Sequence, residues 1–457
     1  MSGFRAFILI SILFLQQSSQ STRDQLARDI FKELIEINTT DSVGDCTNAA
    51  EAMAARLRAA GFPAEEVQVL GPNPRKGNVV ARLRGTGAKK PLLLLAHLDV
   101  VEARREDWST DPFKFIEQDG YYYGRGTSDD KAMAAIWIAT MIRLRQEGFK
   151  PNRDLIVALT ADEEGGSFNG VQWLLKEHPN LIDAEFAINE GGGGQIKNGK
   201  RLLNSVQASE KVYQSYRLEV TNSGGHSSRP TKDNAIYRLA EGLTRLAKYD
   251  FPVELSEVTT SYFRKMADLS AGQMAADMRA LTRKPPDPNV VARLSAGSYE
   301  NALIRTTCVA TMLEGGHAEN ALPQMARAIV NCRILPGDSE REVYATLVRI
   351  LSDSNISVTQ VDTPKPSDPS PLRPEVMGPV EKITSDMWPG VPVVPVMSTG
   401  ATDGLYLRNA GIPTYGVSGL FSDVDDNRAH GKDERVGVSA FFESLEFLYR
   451  LVKAYLS

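Results

Sequence analysis

The chain is 457 residues long, 42% hydrophobic, with a formal net charge of −5. That length exceeds the usual span of one hydrophobic core, so two domains are expected. The acidic balance and the absence of any long Lys/Arg block exclude nucleic-acid binding as the main activity, which leaves a small molecule as the expected partner. Cys46, Cys308 and Cys332 are too few for a disulfide framework and form no Cys-X-X-Cys pair. They are expected to be buried thiols, with a Cys308–Cys332 bridge as the alternative.

At the N-terminus, Arg5, the apolar stretch Ala6 to Leu15 and the polar stretch Gln16 to Ser21 have the three zones of a secretory signal. The apolar part is too short to span a membrane, so residues 1–21 predict export to a periplasm or to the outside rather than a membrane span in the mature chain. The alternative is a frayed N-terminal helix. Thr22 to Ile37 and Asn48 to Ala60 have helical spacing, the second closing at Gly61. Short apolar runs then alternate with helical segments such as Lys131 to Glu147 and Gly170 to Lys176, the rhythm of an α/β fold with a mostly parallel sheet. Near Ser209 the pattern changes. Tyr213 to Thr221 reads as a strand, Asn234 to Lys248 as a helix, Ala302 to Leu313 and Ala326 to Leu335 as strands, Glu340 to Leu351 as a helix and Ile356 to Val361 as a strand. This split βαβ plan is ferredoxin-like and α+β, and it predicts a separate domain over 209–363. Pro364, Pro366, Pro369 and Pro371 mark a linker into 364–457, which returns to the domain begun by 22–208.

The acidic residues are placed by the same reading. His97-Leu98-Asp99 follows the run Pro91 to Ala96, Glu163-Glu164 follows Leu155 to Thr160, and Glu190 follows Phe186 to Asn189. Asp129-Asp130 closes the segment Gly124 to Ser128. In open α/β sheets ligands bind beyond the carboxyl ends of the strands, so these groups are expected to converge. Carboxylates brought together repel one another unless a cation holds them, and imidazoles at His97 and His430 complete a nitrogen and oxygen donor set. Such a set suits zinc first, with manganese or cobalt possible. His178 and His317 lack acidic company at a strand end and are read as non-liganding.

In this order the motifs resemble those of the di-zinc exopeptidases and deacylases, a family that includes glutamate carboxypeptidase, aminoacylase, carboxypeptidase S and succinyl-diaminopimelate desuccinylase. The resemblance covers nearly everything after the first twenty or so residues. It implies two zinc ions per chain, replaceable by Co2+ or Mn2+, that share the carboxylate of Asp129 and hold a bridging water. His97 and Glu190 would complete one zinc, Glu164 and His430 the other. Asp99 would orient His97, and Glu163 would act as general base. A cis peptide is implied at Asp129-Asp130. The family usually continues with Gly-Gly where this chain has Ala132-Met133, a departure confined to local backbone packing.

The resemblance also makes 209–363 a lid and dimerisation domain. Taken alone, His226 in Gly224-Gly225-His226-Ser227-Ser228 reads as a turn histidine. The resemblance instead implies that it reaches the partner subunit's site in a homodimer and stabilises an oxyanion. Asn320 would lie near the scissile group, Arg333 would hold a substrate carboxylate, and Thr402 and Asp403 would belong to a glycine-rich substrate loop. The activity so implied is that of a zinc metallo-exopeptidase, a carboxypeptidase or dipeptidase acting on a small peptide. An N-acyl-amino-acid deacylase is the alternative, and an inactive binding homologue a third reading.

Overall fold

Leu92–His97 is apolar up to its final histidine and forms a strand buried along its whole length. In the computed structural model, which describes residues 21–361 and 363–457, this strand lies at the centre of the main sheet. The expected export segment lies outside the described residues except for Ser21. Leu92–His97 runs parallel to Leu155–Thr160, with His97 beside Thr160, and parallel to Phe186–Asn189 on its other side. Strands buried on both faces must be apolar at every position, which is why these read as continuous runs rather than alternations. Thr414–Gly416 continues the parallel set beside Phe186–Asn189. The sheet is mixed, because Asn78–Leu83 and Val67–Leu70 add antiparallel strands at one edge. Among the described residues it has ten strands.

Helices cover this sheet by burying apolar faces. Lys131–Gln146 buries most of its length, and the Trp137 indole donates to the Leu95 carbonyl at 3.0 Å, which ties helix to central strand. Cys46–Ala59 starts at Asp45, whose carboxylate accepts from the Asn48 amide at 3.1 Å, and ends before Gly61 at φ +89°. Phe31, on the helix spanning 21–36, stacks on Phe441 of the C-terminal helix Val438–Leu456 at 4.7 Å between ring centres.

The chain folds as two units. The first runs to Gln207 and resumes over Leu372–Val394 and Ala410–Ser457; the second comprises Ala208–Pro371 and Pro395–Asn409. The segment Pro395–Asn409 therefore belongs to the second unit, although the sequence places it in the returning part of the first domain.

The second unit is built on a four-stranded antiparallel sheet in the spatial order Thr307–Gly315, Met325–Ile334, Val212–Thr221, Ser357–Gln360. Met325–Ile334 alternates strictly between buried and half-buried residues, and its inward side chains meet Tyr216, Leu239 and Leu347 in one core with the helices Ala235–Ala247 and Glu340–Leu351. Cys308 faces Cys332 across neighbouring strands, and the two form a disulfide, so only Cys46 is a buried thiol. The sequence expects a strand from Ala302, but Ala302–Ile304 finish the helix Ser298–Ile304 and the strand begins at Thr307. Three further helices precede that one: Glu257–Leu269, Gly272–Leu281 and Pro288–Ser295. The sequence reading leaves this stretch unassigned, yet two starts are signalled, by the Ser256–Thr259 capping box and by Asp287 ahead of Pro288.

Lys211, almost wholly buried in the second unit, donates to the Arg305 carbonyl at 2.7 Å, and burial pushes its pKa down from 10.5 to about 7. Between those pH values the unfolded chain binds more protons at this position than the folded one, so folded-state stability from this group rises with pH across that window and its penalty is complete below about pH 7. The thermal-unfolding midpoint of the wild type, measured relative to Lys211→Met, is expected to climb from pH 7 to pH 10. A difference that stays constant with pH would show that Lys211 does not titrate in this range.

Candidate metal centre

The parallel register gathers the carboxyl ends of three strands: His97 closes the first, and the loops that leave the other two carry Glu163-Glu164 and Glu190. Asp129 arrives from a different direction, at the end of the 124–129 loop and just before the helix Lys131–Gln146. His430 comes from the 428–434 loop. These two loops are set side by side because Tyr121–Tyr123 pairs antiparallel with Arg435–Gly437, Tyr123 opposite Arg435.

The resulting cluster has a two-sided geometry centred on Asp129. Its Oδ1 lies 2.9 Å from His97 Nε2, while its Oδ2 lies 3.1 Å from His430 Nε2. Glu164 Oε1 joins the His430 side at 2.9 Å, and Glu190 Oε1 joins the His97 side at 3.9 Å from Nε2. Donor atoms of His97, Asp129 and Glu164 lie within 4.8 Å of one another, as do those of His97, Glu163 and Glu190. The peptide between Asp129 and Asp130 is cis.

Electrostatics test whether this donor set suits cations. Burial, with the charge of Asp129 adding to it, raises the Glu164 pKa to about 7, and the same two causes raise Glu190 well above the ordinary carboxylate range. The Asp129 hydrogen bond lifts the His430 pKa to about 9 against the effect of its own partial burial. Burial disfavours the charged form of His97, but the hydrogen bond with Asp129 and the charge of Glu190 outweigh it and raise its pKa. The cluster thus holds protons that carboxylates and imidazoles in water would have shed by neutral pH. Glu164 Oε1 is buried with no aligned donor, although His430 Nε2 is close. A cluster of nitrogen and oxygen donors that needs extra protons to offset its crowded carboxylates fits divalent cations, which would displace those protons.

Asp99 acts on the cluster differently from the sequence expectation. Its carboxylate lies 3.8 Å from His97 Nδ1, whereas its backbone carbonyl is 2.9 Å from that nitrogen. An N–H at Nδ1 donating to that carbonyl leaves Nε2 as a lone pair directed at Asp129, the tautomer a metal ligand requires. The Asp99 carboxylate instead accepts from the backbone amides of Glu163 at 3.1 Å and Glu164 at 2.9 Å. Lys76, which no sequence motif singles out, is buried and pairs with Asp162, which has φ +59° directly ahead of Glu163. Asp162 also accepts from the Phe168 amide at 3.0 Å, so it fixes the start of the same loop.

The remaining sequence candidates lie in the second unit. His226 is exposed, and its Nδ1 is engaged by the Ser228 hydroxyl at 2.7 Å. It sits on a short strand opposite Ala321, and the Asn320 carbonyl accepts from the Ser227 amide at 3.0 Å, so His226 and Asn320 are neighbours. Arg333 is half-buried with its guanidinium 4.7 Å from the centre of the Tyr213 ring. Thr402 and Asp403 are buried, and the Thr402 amide and hydroxyl both donate to Glu210, at 2.9 and 3.0 Å. Glu210 also pairs with Arg408. The Thr402 hydroxyl is therefore committed to anchoring its own loop. His178 packs against Trp173, and His317 is exposed on a turn.

A mixed α/β sheet that delivers His, Asp and Glu donors to the ends of its parallel strands, with one carboxylate shared between two donor groups, defines a metallo-hydrolase framework of the dinuclear kind. The sequence profile of Peptidase family M20/M25/M40 matches residues 93–454, and the chain belongs to that family. It is 29% identical over 375 residues to the human N-fatty-acyl-amino acid synthase/hydrolase PM20D1, covering 80% of this chain and 74% of that one. Carboxypeptidase S of Saccharomyces cerevisiae is 25% identical over 412 residues, covering 79% and 71%. Among solved structures, an M20 family metallo-carboxypeptidase from Sulfolobus solfataricus shares the fold with a TM-score of 0.69 at 19% identity, covering 94% of this chain and 99% of that one. Human carnosine dipeptidase 1 does so with a TM-score of 0.65 at 15% identity, covering 96% and 98%. The protein is an M20 metallopeptidase or amidohydrolase.

Proposed function

We propose that this M20 hydrolase cleaves an amide bond whose nitrogen belongs to an amino acid, with zinc as its metal. The observation that carries this reading is the shared carboxylate of Asp129, placed between His97 on one side and His430 on the other. His97 and Glu190 would hold one ion, Glu164 and His430 the other, with Asp129 between them. Divalent ions bound there supply Lewis acidity and make water acidic enough to ionise near neutral pH. Glu163 takes the proton of the attacking water and delivers it to the leaving nitrogen. Its carboxylate can serve because the Asp99 carboxylate holds the Glu163 and Glu164 amides and so fixes the loop without using either side chain. Asn320 and Arg333 contact the substrate, Arg333 offering its guanidinium to a free carboxylate. Thr402 and Asp403 shape the loop that lines the substrate.

A carboxypeptidase or dipeptidase is the reading that the sequence motifs favour. The N-acyl-amino-acid hydrolase reading gains from the human relative, which at 29% identity is more similar than carboxypeptidase S at 25%. Both reactions use the same site, so a panel of dipeptides and N-acyl amino acids separates them. Turnover confined to N-acyl substrates would rule out the peptidase, turnover confined to dipeptides would rule out the deacylase, and the absence of turnover on either class would overturn the proposal.

A homodimer is part of this proposal. The edge strand Thr307–Gly315 presents Val309, Met312 and Leu313 to solvent, each at least 60% exposed. An apolar, unpaired strand edge of this kind is a template for pairing with a second copy. With Nδ1 of His226 engaged by Ser228, Nε2 is the nitrogen that would meet an oxyanion in the partner's site. His226→Ala and Glu163→Ala chains, each inactive alone, are then expected to recover activity when mixed under subunit exchange, in up to roughly half of the hybrid sites if these work independently. A monomer by light scattering, or mixtures as inactive as their parents, would remove the trans role of His226.

A further inference from the structure

Glu434 is the most heavily hydrogen-bonded carboxylate near the metal centre, and none of its bonds reaches a metal-facing atom. It is completely buried, as is Arg125 to within 2%. Its Oε2 accepts from Arg125 Nη1 at 2.7 Å and from the Gly126 amide at 3.1 Å. Its Oε1 accepts from the Ser128 amide at 2.7 Å, the Ser128 hydroxyl at 2.8 Å and the Asp129 amide at 3.2 Å. The other Arg125 nitrogen, Nη2, donates to the carbonyls of Gly431 at 2.9 Å and His430 at 3.4 Å. One ion pair therefore grips the backbone on both sides, the loop that ends in Asp129 and the loop that carries His430.

A buried ion pair is a weak source of stability, since well-packed apolar residues of similar volume often do as well. Stability alone thus leaves this arrangement unexplained. Its donors and acceptors are the backbone groups that set where Asp129 and His430 stand. His430 needs such support, because its side chain is 54% exposed and its backbone is left-handed at φ +61°, unusual for a residue other than glycine. The ring is aimed by its backbone rather than by packing.

We propose that Glu434, through Arg125, is a positioning residue that holds Asp129 and His430 in register for the ion on the His430 and Glu164 side. The inference rests on the two-ion reading of the site. Loss of its negative charge should loosen that ion first, because two of its proposed ligands, Asp129 and His430, lose support, whereas the ion on the His97 and Glu190 side shares only Asp129 and is otherwise held from strand ends that Glu434 does not touch. Support of this kind is commonly worth about 10- to 100-fold in metal affinity.

The test measures zinc content by elemental analysis after timed exposure to a chelator, alongside the thermal-unfolding midpoint of the metal-stripped protein. Glu434→Gln is expected to release its first ion at least about tenfold faster than the wild type. Ser128→Ala, which removes one hydroxyl donor, should shift release in the same direction by less. Asp154→Asn supplies the control for plain destabilisation. It breaks a comparable cluster, Arg82 at 3.0 Å, Arg84 at 3.2 Å and the Gly85 amide at 2.8 Å, ahead of the strand whose far end leads to Glu163. It should lower the stripped midpoint and leave zinc release unchanged. Wild-type release rates in Glu434→Gln, or equal acceleration in Asp154→Asn, would overturn the positioning role while the two-ion reading stood. If Glu434→Gln does not fold, an unchanged release rate in Ser128→Ala overturns it. A wild type that binds no divalent ion overturns the two-ion reading itself, and the positioning role with it.

Discussion

Glu163→Ala is expected to keep the wild-type metal complement and to lose turnover by about 10²–10⁴-fold, the range typical of removing a positioned general base. The reasoning depends on what holds the loop. Asp99 takes the Glu163 and Glu164 amides, and Lys76 pins Asp162, the residue before them. None of these contacts uses the Glu163 carboxylate, so its removal should leave Glu164 where it stands. The alternative is visible in the geometry, because a carboxylate oxygen of Glu163 lies within 4.8 Å of donor atoms of both His97 and Glu190. Were Glu163 a ligand and not the base, Glu163→Ala would lose an ion together with activity. Elemental analysis of the purified variant, read beside its rate, decides between these. A full complement with near wild-type rate would show that neither role is correct.

The parts of the site that are legible in the sequence are those fixed by strand burial. Leu92 to Ala96 and Leu155 to Thr160 read as strands because parallel strands buried on both faces are continuously apolar, and the polar residues that follow each run must then face the end of the sheet. His97, Glu163-Glu164 and Glu190 follow from that rule alone. His430 does not, since its loop reaches the others only through the pairing of Arg435–Gly437 with Tyr121–Tyr123, short strands whose partners are far apart in sequence. The sequence offers it as an imidazole donor, and the motif resemblance alone assigns it to the side of Glu164.

Features that depend on distances of an ångström are not legible. His-X-Asp spacing suggests that the Asp99 side chain orients His97, but whether a carboxylate or its own carbonyl meets Nδ1 is decided by the local turn, and here the carbonyl does. Arg125 and Glu434 are each unremarkable among charged residues, and only their burial against each other gives them meaning. The helices Glu257–Leu269 to Ser298–Ile304 escape a sequence reading for a different reason. The last three have 10, 8 and 7 residues, so no long periodic stretch announces them, while the 13-residue Glu257–Leu269 is signalled mainly by its capping box.

Asp129→Ala should be the most damaging single change among the proposed ligands, because it alone has one oxygen on each side of the cluster. Oδ1 stands 2.9 Å from His97 and Oδ2 3.1 Å from His430, whereas Glu190 serves only the former side and Glu164 the latter. Removing either glutamate takes one donor from one ion. Removing Asp129 takes a donor from both, together with the charge that would offset two neighbouring cations. Both zinc ions are therefore expected to fall below stoichiometry in Asp129→Ala, with Glu190→Ala retaining about one per chain. Binding to the native state alone stabilises it by mass action, so added zinc should raise the unfolding midpoint of the stripped wild type by several degrees and that of stripped Asp129→Ala hardly at all. A full complement in Asp129→Ala, with both ions lost from Glu190→Ala, would move the bridging role to Glu190 and require a different assignment of the two sides.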